Sequence, residues 1–342
     1  MDNLLIRVDS TYEIGMGHFM RTLALAQKWQ QLNGEIFFLI NDNDILKEKI
    51  ISQNMHFIVN PHISGSIDDS NFLIKQINNH DISWVVVDGY IFKEEYFANL
   101  RNNNVKFLIF DDDGKLNKYV CNIVLNQNLH GNEDWYIPKK EDYTQLLIGT
   151  DYVLLRNEFL EFIDYKKSIK DVVKNILVTL GGSDVNNYSL KILKILNKLD
   201  YRDFNVIVVI GANNIHEEEL QSFSEISNFN VQILKNVSNM PELMELADLA
   251  FSSGGTTVWE LAFMGVPTIV GATSYIEEVL LDGLNENNLF KTVGNLENLN
   301  ENFLLNLFND LIMNYNERSK MSIDGQNFID GFGFKRILNN MR

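Results

Sequence analysis

Two glycines and a histidine lie near the beginning of the chain, directly after a short apolar stretch. Gly15, Met16, Gly17 and His18 separate a predicted strand from a predicted helix. Glycines permit a tight turn and a close approach of the backbone to a ligand, and a helix start favours negative charge. Because the helix dipole disfavours an imidazolium there, His18 is a candidate general base. A capping or packed histidine is the alternative interpretation, which position alone does not exclude.

Two turns in the second half of the chain combine glycines with hydroxyl or carboxyl groups. They consist of Gly181, Gly182, Ser183 and Asp184, and of Ser253, Gly254, Gly255, Thr256 and Thr257. Small residues and hydroxyls at a strand-to-helix turn suit a diphosphate, although the first turn is also explained by a Ser or Asp N-cap. Glu260 is a candidate acceptor for ribose hydroxyls, or a first-turn carboxylate stabilised by the helix dipole. Together the turns predict nucleotide binding in this half.

Two strand ends in the first half carry further polar side chains. Asp88, Gly89 and Tyr90 end one predicted strand, where a tyrosine serves as a proton donor, a substrate anchor or a packing residue. Three aspartates at 111–113 follow the next strand, and no histidine or further acidic motif completes a metal-ligand set. We therefore expect a solvated turn there and no metal site. The turn before His18 lacks the third glycine of a dinucleotide-binding motif, so we expect no cofactor.

Short apolar strands alternate with amphipathic segments, a pattern typical of parallel α/β folds. Strands are predicted at 4–8, 35–40, 55–59, 84–88, 106–110, 121–125, 175–180, 205–210, 231–234, 249–252 and 268–270. Helices are predicted at 19–32, 45–53, 70–78, 94–101, 188–199, 217–224, 241–247 and 257–264, with a helical tail over 301–342. We expect one domain at 1–155, a crossing at 156–174 and a second domain at 175–342. A ligand would lie in the cleft between the carboxyl ends of their strands.

The composition excludes several classes of protein. With 342 residues, of which 45% are hydrophobic and 22% charged, the chain suits two globular domains. A net charge of −17 without a Lys/Arg cluster argues against a nucleic-acid partner but permits a small phosphorylated ligand. The apolar runs are too short to cross a bilayer, the first residues lack the pattern of a signal peptide, and Cys121 is the only cysteine. We expect a cytoplasmic protein, and its oligomeric state stays open.

The ordered set of motifs resembles the PseG family, the UDP-2,4-diacetamido-2,4,6-trideoxy-β-L-altropyranose hydrolases of pseudaminic acid synthesis. The resembling segments are 6–10, 14–18 with Arg21, 87–90, 110–112, 122–127, 147–159, 181–184, 254–260 and 330–333. This resemblance implies a GT-B architecture, two Rossmann-like domains whose parallel sheets face a central cleft. The implied reaction is attack of water at the anomeric carbon of a UDP-sugar, which releases UDP and the free sugar without a metal.

The resemblance also implies roles for particular residues. His18 and Tyr90 correspond to the catalytic pair of the family. The substrate-binding residues would be Arg7, Asp9, Gly15, Gly17 and Arg21 in the first half, and the two glycine turns with Glu260 in the second.

The chain departs from the family pattern at two places. The family commonly has a histidine where this chain has Gly89. It commonly carries an Asn-Gln pair after the strand at 268–270, where this chain reads Gly-Ala-Thr-Ser-Tyr-Ile over 271–276. The second difference lies in a loop expected near the sugar or the phosphates. A MurG-like glycosyltransferase, in which an acceptor hydroxyl replaces water, is the first alternative. A non-catalytic nucleotide-sugar-binding protein is the second.

Overall fold

The structure is a computed structural model that describes residues 2–9, 17–182, 184–212, 214–286 and 289–341. The strands are β1 (Asn3–Val8), β2 (Ile36–Ile40), β3 (His56–Val59), β4 (Ile82–Asp88), β5 (Phe107–Phe110), β6 (Ile123–Asn126), β7 (Gln145–Ile148), β8 (Asn175–Thr179), β9 (Asn205–Ile210), β10 (Asn230–Lys235), β11 (Leu249–Ser253), β12 (Thr268–Ala272) and β13 (Lys291–Asn295). The α-helices are α1 (Gly17–Gln31), α2 (Asp44–Ser52), α3 (Ile67–Asn79), α4 (Glu94–Asn102), α5 (Asn157–Leu160), α6 (Tyr188–Leu196), α7 (Glu217–Ile226), α8 (Met240–Leu246), α9 (Thr257–Phe263), α10 (Tyr275–Glu286), α11 (Glu301–Met313), α12 (Tyr315–Phe328) and α13 (Gly333–Asn340). Short 3-10 helices cover Glu133–Trp135, Thr150–Tyr152 and Leu296–Asn298.

The chain divides into two compact units, each built on one parallel sheet. The first unit contains Met1–Asn157 and Gly331–Arg342, and the second contains Glu158–Asp330. The strand order is β3-β2-β1-β4-β5-β6-β7 in the first sheet and β10-β9-β8-β11-β12-β13 in the second. The predicted α/β class with two parallel sheets is therefore confirmed.

The C-terminal helix α13 belongs to the first unit, whereas the sequence analysis placed the whole tail with the second domain. A Cβ atom on Gly333 would lie only 2.1 Å from the carbonyl oxygen of Val153, so glycine allows the helix to approach this segment closely. Ile337 and Leu338 are buried in the core of the first unit. An apolar helix face shows that a helix packs, but not which of two cores receives it, so the tail was assigned by position in the chain.

Each sheet reverses its strand order beside its first strand. In the first unit β1 pairs with both β2 and β4, and in the second unit β8 pairs with both β9 and β11. Connections leave these neighbouring strands in opposite directions, which opens a crevice at their carboxyl ends, the usual ligand site of such sheets. We call these two places the switch points.

The side chains of β1 alternate between two apolar clusters, and this packing fixes the first switch point. Leu4 packs into the cluster that contains Phe19 and Trp29 of α1, and Leu5 packs into the opposite cluster with Phe97 of α4. Side chains of a strand alternate between the two faces of a sheet, so β1 is fixed from both sides. Asp9, which follows β1, is therefore carried by a rigid strand.

The predicted helices lie within a few residues of their expected bounds, but helices α5 and α10 were not predicted. Two edge strands were also missed. These are β7 and β13, whose side chains are mostly half-buried or exposed. An edge strand lacks the continuous apolar run that marks a central parallel strand, so periodicity gave little signal. Within the described residues, no helix is both long enough and apolar enough to span a membrane.

Candidate functional site

His18 lies at the beginning of α1 and contacts the last residue of β4. Its Nδ1 atom is 2.6 Å from Oδ1 of Asp88, and the histidine is only 7% exposed. Two acceptors would repel each other at this distance, so Nδ1 carries a hydrogen and donates it to Asp88. In the neutral ring Nε2 is then an acceptor, and it makes no hydrogen bond with a described residue. The contact with Asp88 thus fixes the His18 ring and leaves Nε2 as its acceptor atom.

Arg21, one helical turn after His18, joins two carboxylates. Its Nε and Nη2 atoms lie 2.6 and 2.7 Å from Asp88, and its Nη1 and Nη2 atoms lie 2.7 and 2.9 Å from Asp112. The guanidinium also lies over the ring of Phe110, with Cζ 4.9 Å from the ring centroid. Bidentate pairing with carboxylates on both sides fixes the guanidinium. Arg21, predicted to bind substrate, is therefore already engaged inside the first unit.

The charged side chains around His18 carry a net negative charge. Asp88, Arg21 and Asp112 together carry a net charge of −1, which protonation of His18 would neutralise. The sequence analysis considered only the helix dipole, which acts in the opposite sense. The adjacent carboxylate is the influence that it missed, and such a partner stabilises an imidazolium formed during reaction.

Both carboxylates of the group are held in their ionised form. Burial opposes ionisation, but Arg21 and then His18 keep the pKa of Asp88 below its ordinary value. Burial also opposes ionisation of Asp112, and Arg21 again lowers its pKa. Burial disfavours the charge of Arg21 in turn, yet Asp112 and Asp88 raise its pKa. The three charges therefore persist together near neutral pH.

Tyr90 completes the group and keeps its proton. Its hydroxyl donates to Oδ2 of Asp112 at 3.0 Å, and its ring meets the His18 ring edge-on with centroids 4.8 Å apart. Burial, followed by the charge of Asp112, raises the pKa of Tyr90. The Tyr90 ring therefore packs against His18, and its hydroxyl is bonded to Asp112. We call His18, Arg21, Asp88, Tyr90 and Asp112 the His18 cluster.

The prediction of a solvated turn at 111–113 was wrong. Asp112 is 8% exposed and belongs to the His18 cluster. Asp111 accepts hydrogen bonds from the backbone N–H of Gly114 at 2.6 Å and from the hydroxyls of Tyr119 and Tyr136 at 2.8 and 3.0 Å. These partners come from residues that follow the turn in sequence, and a run of three aspartates does not reveal them.

Two further polar residues support Asp112 and were missed by the sequence analysis. Asn128 donates to Oδ1 of Asp112 at 2.7 Å, and Nε2 of His130 lies 3.1 Å from the Asp112 carbonyl oxygen. Both follow β6, which pairs with the strand that ends before Asp112. The only available signal was that polar residues follow adjacent parallel strands, and strand order was not known.

Arg7 and Asp9 flank the end of β1 with very different surroundings. Arg7 is fully buried and donates to Asp69, Ser64 and Asn41 and to two backbone carbonyls. A substrate contact would therefore require Arg7 to give up an existing bond. Asp9 is also fully buried, but neither of its carboxylate oxygens has a hydrogen-bond partner among the described residues. Burial raises the pKa of Asp9 despite Arg7 and His18 nearby.

Gly89 is required by the contact between β1 and β4. Its φ is +147°, and a Cβ atom there would lie 2.6 Å from Cβ of Asp9. A histidine at this position would be strained, so the departure from the PseG pattern matches the local backbone. A Cβ atom added to Gly17 would have no other atom within 4 Å, so this position has room for a side chain. Gly15, like Ser183 in the second unit, lies outside the described residues.

In the second unit, the turn after β8 is built by close backbone contacts. Gly181 has a φ of +80°, and a Cβ atom on Gly211 would lie 2.2 Å from the carbonyl oxygen of Gly182. Asp184 accepts hydrogen bonds from the backbone N–H groups of Tyr188 and Ser189, both at 2.8 Å. The N-cap of α6 is Asn187 and not the expected Ser or Asp, although Asp184 also accepts from the first turn of this helix. Gly181 leaves an open backbone beside it.

The turn after β11 lies at the same switch point and offers unused hydroxyls. Ser253 and Gly254 are buried, and Gly255, Thr256 and Thr257 are half-buried. Thr256 precedes α9 without making a side-chain cap bond, and neither its hydroxyl nor that of Thr257 hydrogen-bonds to a described residue. Glu260 is 9% exposed within α9. The turns after β8 and β11 are therefore brought to adjacent strand ends, as a nucleotide site requires.

A metal site is not evident in the described residues. No group of three or more His, Cys, Asp and Glu side chains among them is arranged to hold a metal ion.

Comparison with known proteins adds a family match and two relatives. Residues 175–275 match the glycosyltransferase family 28 C-terminal domain. Protein MJ1062 of Methanocaldococcus jannaschii is 33% identical over 277 residues, which cover 78% of this chain but only 55% of that protein. The UDP-2,4-diacetamido-2,4,6-trideoxy-β-L-altropyranose hydrolase of Campylobacter jejuni is 25% identical over 261 residues, 75% of this chain and 86% of the relative.

A solved structure extends the similarity of fold to the whole chain. MurG of Acinetobacter baumannii superposes with a TM-score of 0.68 at 15% sequence identity, and the match covers 99% of each chain. At this identity the likeness concerns the fold alone. Residues 175–275 of the second unit are therefore similar to the glycosyltransferase family 28 C-terminal domain, and the fold of the chain is of the GT-B type.

Proposed function

We propose that this protein is an enzyme that hydrolyses a UDP-linked 2,4-diacetamido-2,4,6-trideoxy sugar. The observation that carries the proposal is the 2.6 Å contact between Nδ1 of His18 and Asp88, which leaves Nε2 as an oriented base. The Campylobacter jejuni relative, a hydrolase of such a UDP-sugar by name, supports the choice of reaction and substrate.

In the proposed reaction, the oxygen of a water molecule attacks the anomeric carbon of the sugar. The bond from that carbon to the diphosphate oxygen breaks, and its electron pair leaves with UDP. Nε2 of His18 takes one proton from the attacking water, so that the sugar keeps the new hydroxyl. Because UDP is a stabilised leaving group, orientation of water and retention of the diphosphate are the main tasks.

The charges of the His18 cluster suit this proton transfer. The imidazolium forms against Asp88 and changes the net charge of the cluster from −1 to zero. Arg21 keeps both carboxylates in place, and Tyr90 supports the imidazole edge-on at 4.8 Å. Asp88 is thus a positioning residue, a role seen for carboxylates that hold catalytic histidines in one tautomer.

We assign UDP to the switch point of the second unit. Three features support this assignment: the open backbone at Gly181, the Thr256 and Thr257 hydroxyls that bond to no described residue, and the position of Glu260 one turn into α9. The match of residues 175–275 to a glycosyltransferase domain agrees with binding of a nucleotide sugar.

Transfer of the sugar to an acceptor hydroxyl is the second candidate, favoured by the same domain match. The decisive experiment is incubation with UDP-sugars in ¹⁸O-labelled water, with and without sugar or lipid acceptors. Hydrolysis predicts UDP release without an acceptor and ¹⁸O in the anomeric hydroxyl. UDP release only with an acceptor would establish transfer instead, and no release with any UDP-sugar would overturn both.

A further inference from the structure

Glu277 of α10 takes hydrogen bonds from two strand-end loops of the second unit. Its Oε2 atom accepts from the backbone N–H and the hydroxyl of Thr273, at 2.7 and 2.8 Å. Burial raises the pKa of Glu277, and hydrogen bonds from Thr273, from the Ser253 hydroxyl and from the Gly254 N–H partly oppose that effect. The Thr273 bonds therefore hold the carboxyl group beside the turn after β11.

The same side chain lies directly against the two glycines of that turn. A Cβ atom on Gly254 would lie 3.1 Å from Cβ of Glu277, and one on Gly255 would lie 3.7 Å from its Oε1 atom. Glycine at both positions allows the carboxyl group to approach the backbone. Glu277 thus lies against the turn after β11, to which we assign the diphosphate.

A carboxylate and a phosphate compete for such donors and also repel each other. Backbone N–H groups and hydroxyls at a turn bind either anion. Like charges placed side by side across a binding interface cost several kcal/mol. A neutral amide of the same shape would remove the repulsion without removing the side chain.

We propose that Glu277 sets the nucleotide affinity of the second unit, acting as an internal anion that repels a diphosphate bound at the turn after β11. This inference rests on the proposed UDP site. The diphosphate is then held mainly by Gly255, Thr256 and Thr257, and UDP is bound more weakly and released faster than the turn alone would allow. Glu277 directly follows residues 271–276, where this chain differs from the PseG pattern. We therefore expect this difference to affect nucleotide affinity.

The test is calorimetric titration of UDP and of uridine into the whole protein and its Glu277→Gln variant. We expect UDP to bind at least about tenfold more tightly to the variant, because one neighbouring negative charge is removed. The affinity for uridine, which has no phosphate, should not change. Glu278→Gln is the matched control, since it makes the same change of net charge on the next residue and should leave both affinities unaltered.

The outcomes separate the inference from the function on which it rests. Equal or weaker UDP binding by Glu277→Gln, with the wild type binding UDP, overturns the inference alone. Absence of UDP binding to every variant and to the wild type overturns the UDP site as well. If Glu277→Gln does not fold, Glu277→Asp withdraws the charge by one methylene, and a smaller gain in UDP affinity is then the expected result.

Discussion

The two units use one sheet topology to present two opposite kinds of polar surface. At the first switch point, the charges of the His18 cluster bond to one another, and Arg21 alone contacts both Asp88 and Asp112 at distances between 2.6 and 2.9 Å. At the second, small residues surround hydroxyls of Thr256 and Thr257 that have no described partner. A preassembled charged group suits proton transfer, whereas open donors suit a ligand that brings its own charge.

A polar residue at a switch point is not necessarily available to a ligand. Arg7 and Arg21 were both expected to bind substrate, yet their donors are engaged within the first unit. Buried charges need partners because desolvation is costly. The groups most available to a ligand are therefore the uncharged ones, namely Nε2 of His18 and the two threonine hydroxyls.

The largest expected effect is that of His18→Asn, which keeps side-chain size and some hydrogen bonding but cannot take the proton. A positioned general base contributes roughly 10²–10⁴-fold, so turnover should fall by about that factor. Steady-state kinetics measure the change. His62→Asn, on an exposed histidine of the same unit, is the matched control and should retain full turnover. Near-normal turnover of His18→Asn would remove His18 from the mechanism.

Asp88→Asn should reduce turnover by about 10- to 10³-fold, because an amide does not enforce the tautomer of His18 or stabilise its imidazolium. A pH–rate profile separates this role from a loss of fold: a positioning role shifts the acidic limb of the profile, whereas partial unfolding lowers the rate at every pH. Asp113→Asn makes the same chemical change on an aspartate paired with Lys115 at the surface. Equal losses in the two variants would contradict the role of Asp88.

Glu260→Ala should weaken UDP binding by about 1–3 kcal/mol, the cost of removing one partner from a buried polar contact. Calorimetry measures this loss, and turnover at saturating substrate should change little. Glu242→Ala, on an exposed first-turn glutamate of α8, is the control. Unchanged UDP affinity in Glu260→Ala would remove this residue from the ribose site.

A smaller loss, below about tenfold in turnover, is expected for Tyr90→Phe, since the ring that supports His18 remains. Only the hydroxyl bond to Asp112 is lost. Tyr143→Phe removes an exposed hydroxyl of the same unit and serves as the control in the same kinetic assay. If Tyr90→Phe lost as much turnover as His18→Asn, the hydroxyl would have to act in the chemical step.

No change at all is expected on chelation. The proposed reaction assigns proton transfer and charge to side chains, so turnover should persist in excess EDTA. The measurement is the rate before and after dialysis against EDTA, followed by addition of magnesium. Loss of the rate with EDTA and its recovery with magnesium would require a metal site.

Sequence reasoning identified what is local and missed what depends on strand order. The helix that begins near His18, the glycine turns and the parallel α/β class all follow from short-range patterns. The contact between His18 and Asp88 joins residues 70 positions apart, and the pairing of Arg21 with Asp112 spans 91. Such pairs follow from β1 lying beside β4 and β4 beside β5, and the alternation of elements does not specify that order.

The central claim is that the chemistry belongs to the first unit and nucleotide binding to the second. Its most direct test measures both turnover and UDP affinity in His18→Asn and in Glu260→Ala. We expect His18→Asn to lose about 10²–10⁴-fold in turnover with unchanged UDP affinity. Glu260→Ala should lose UDP affinity with nearly unchanged turnover at saturation. A His18→Asn protein that neither turns over substrate nor binds UDP would contradict this division.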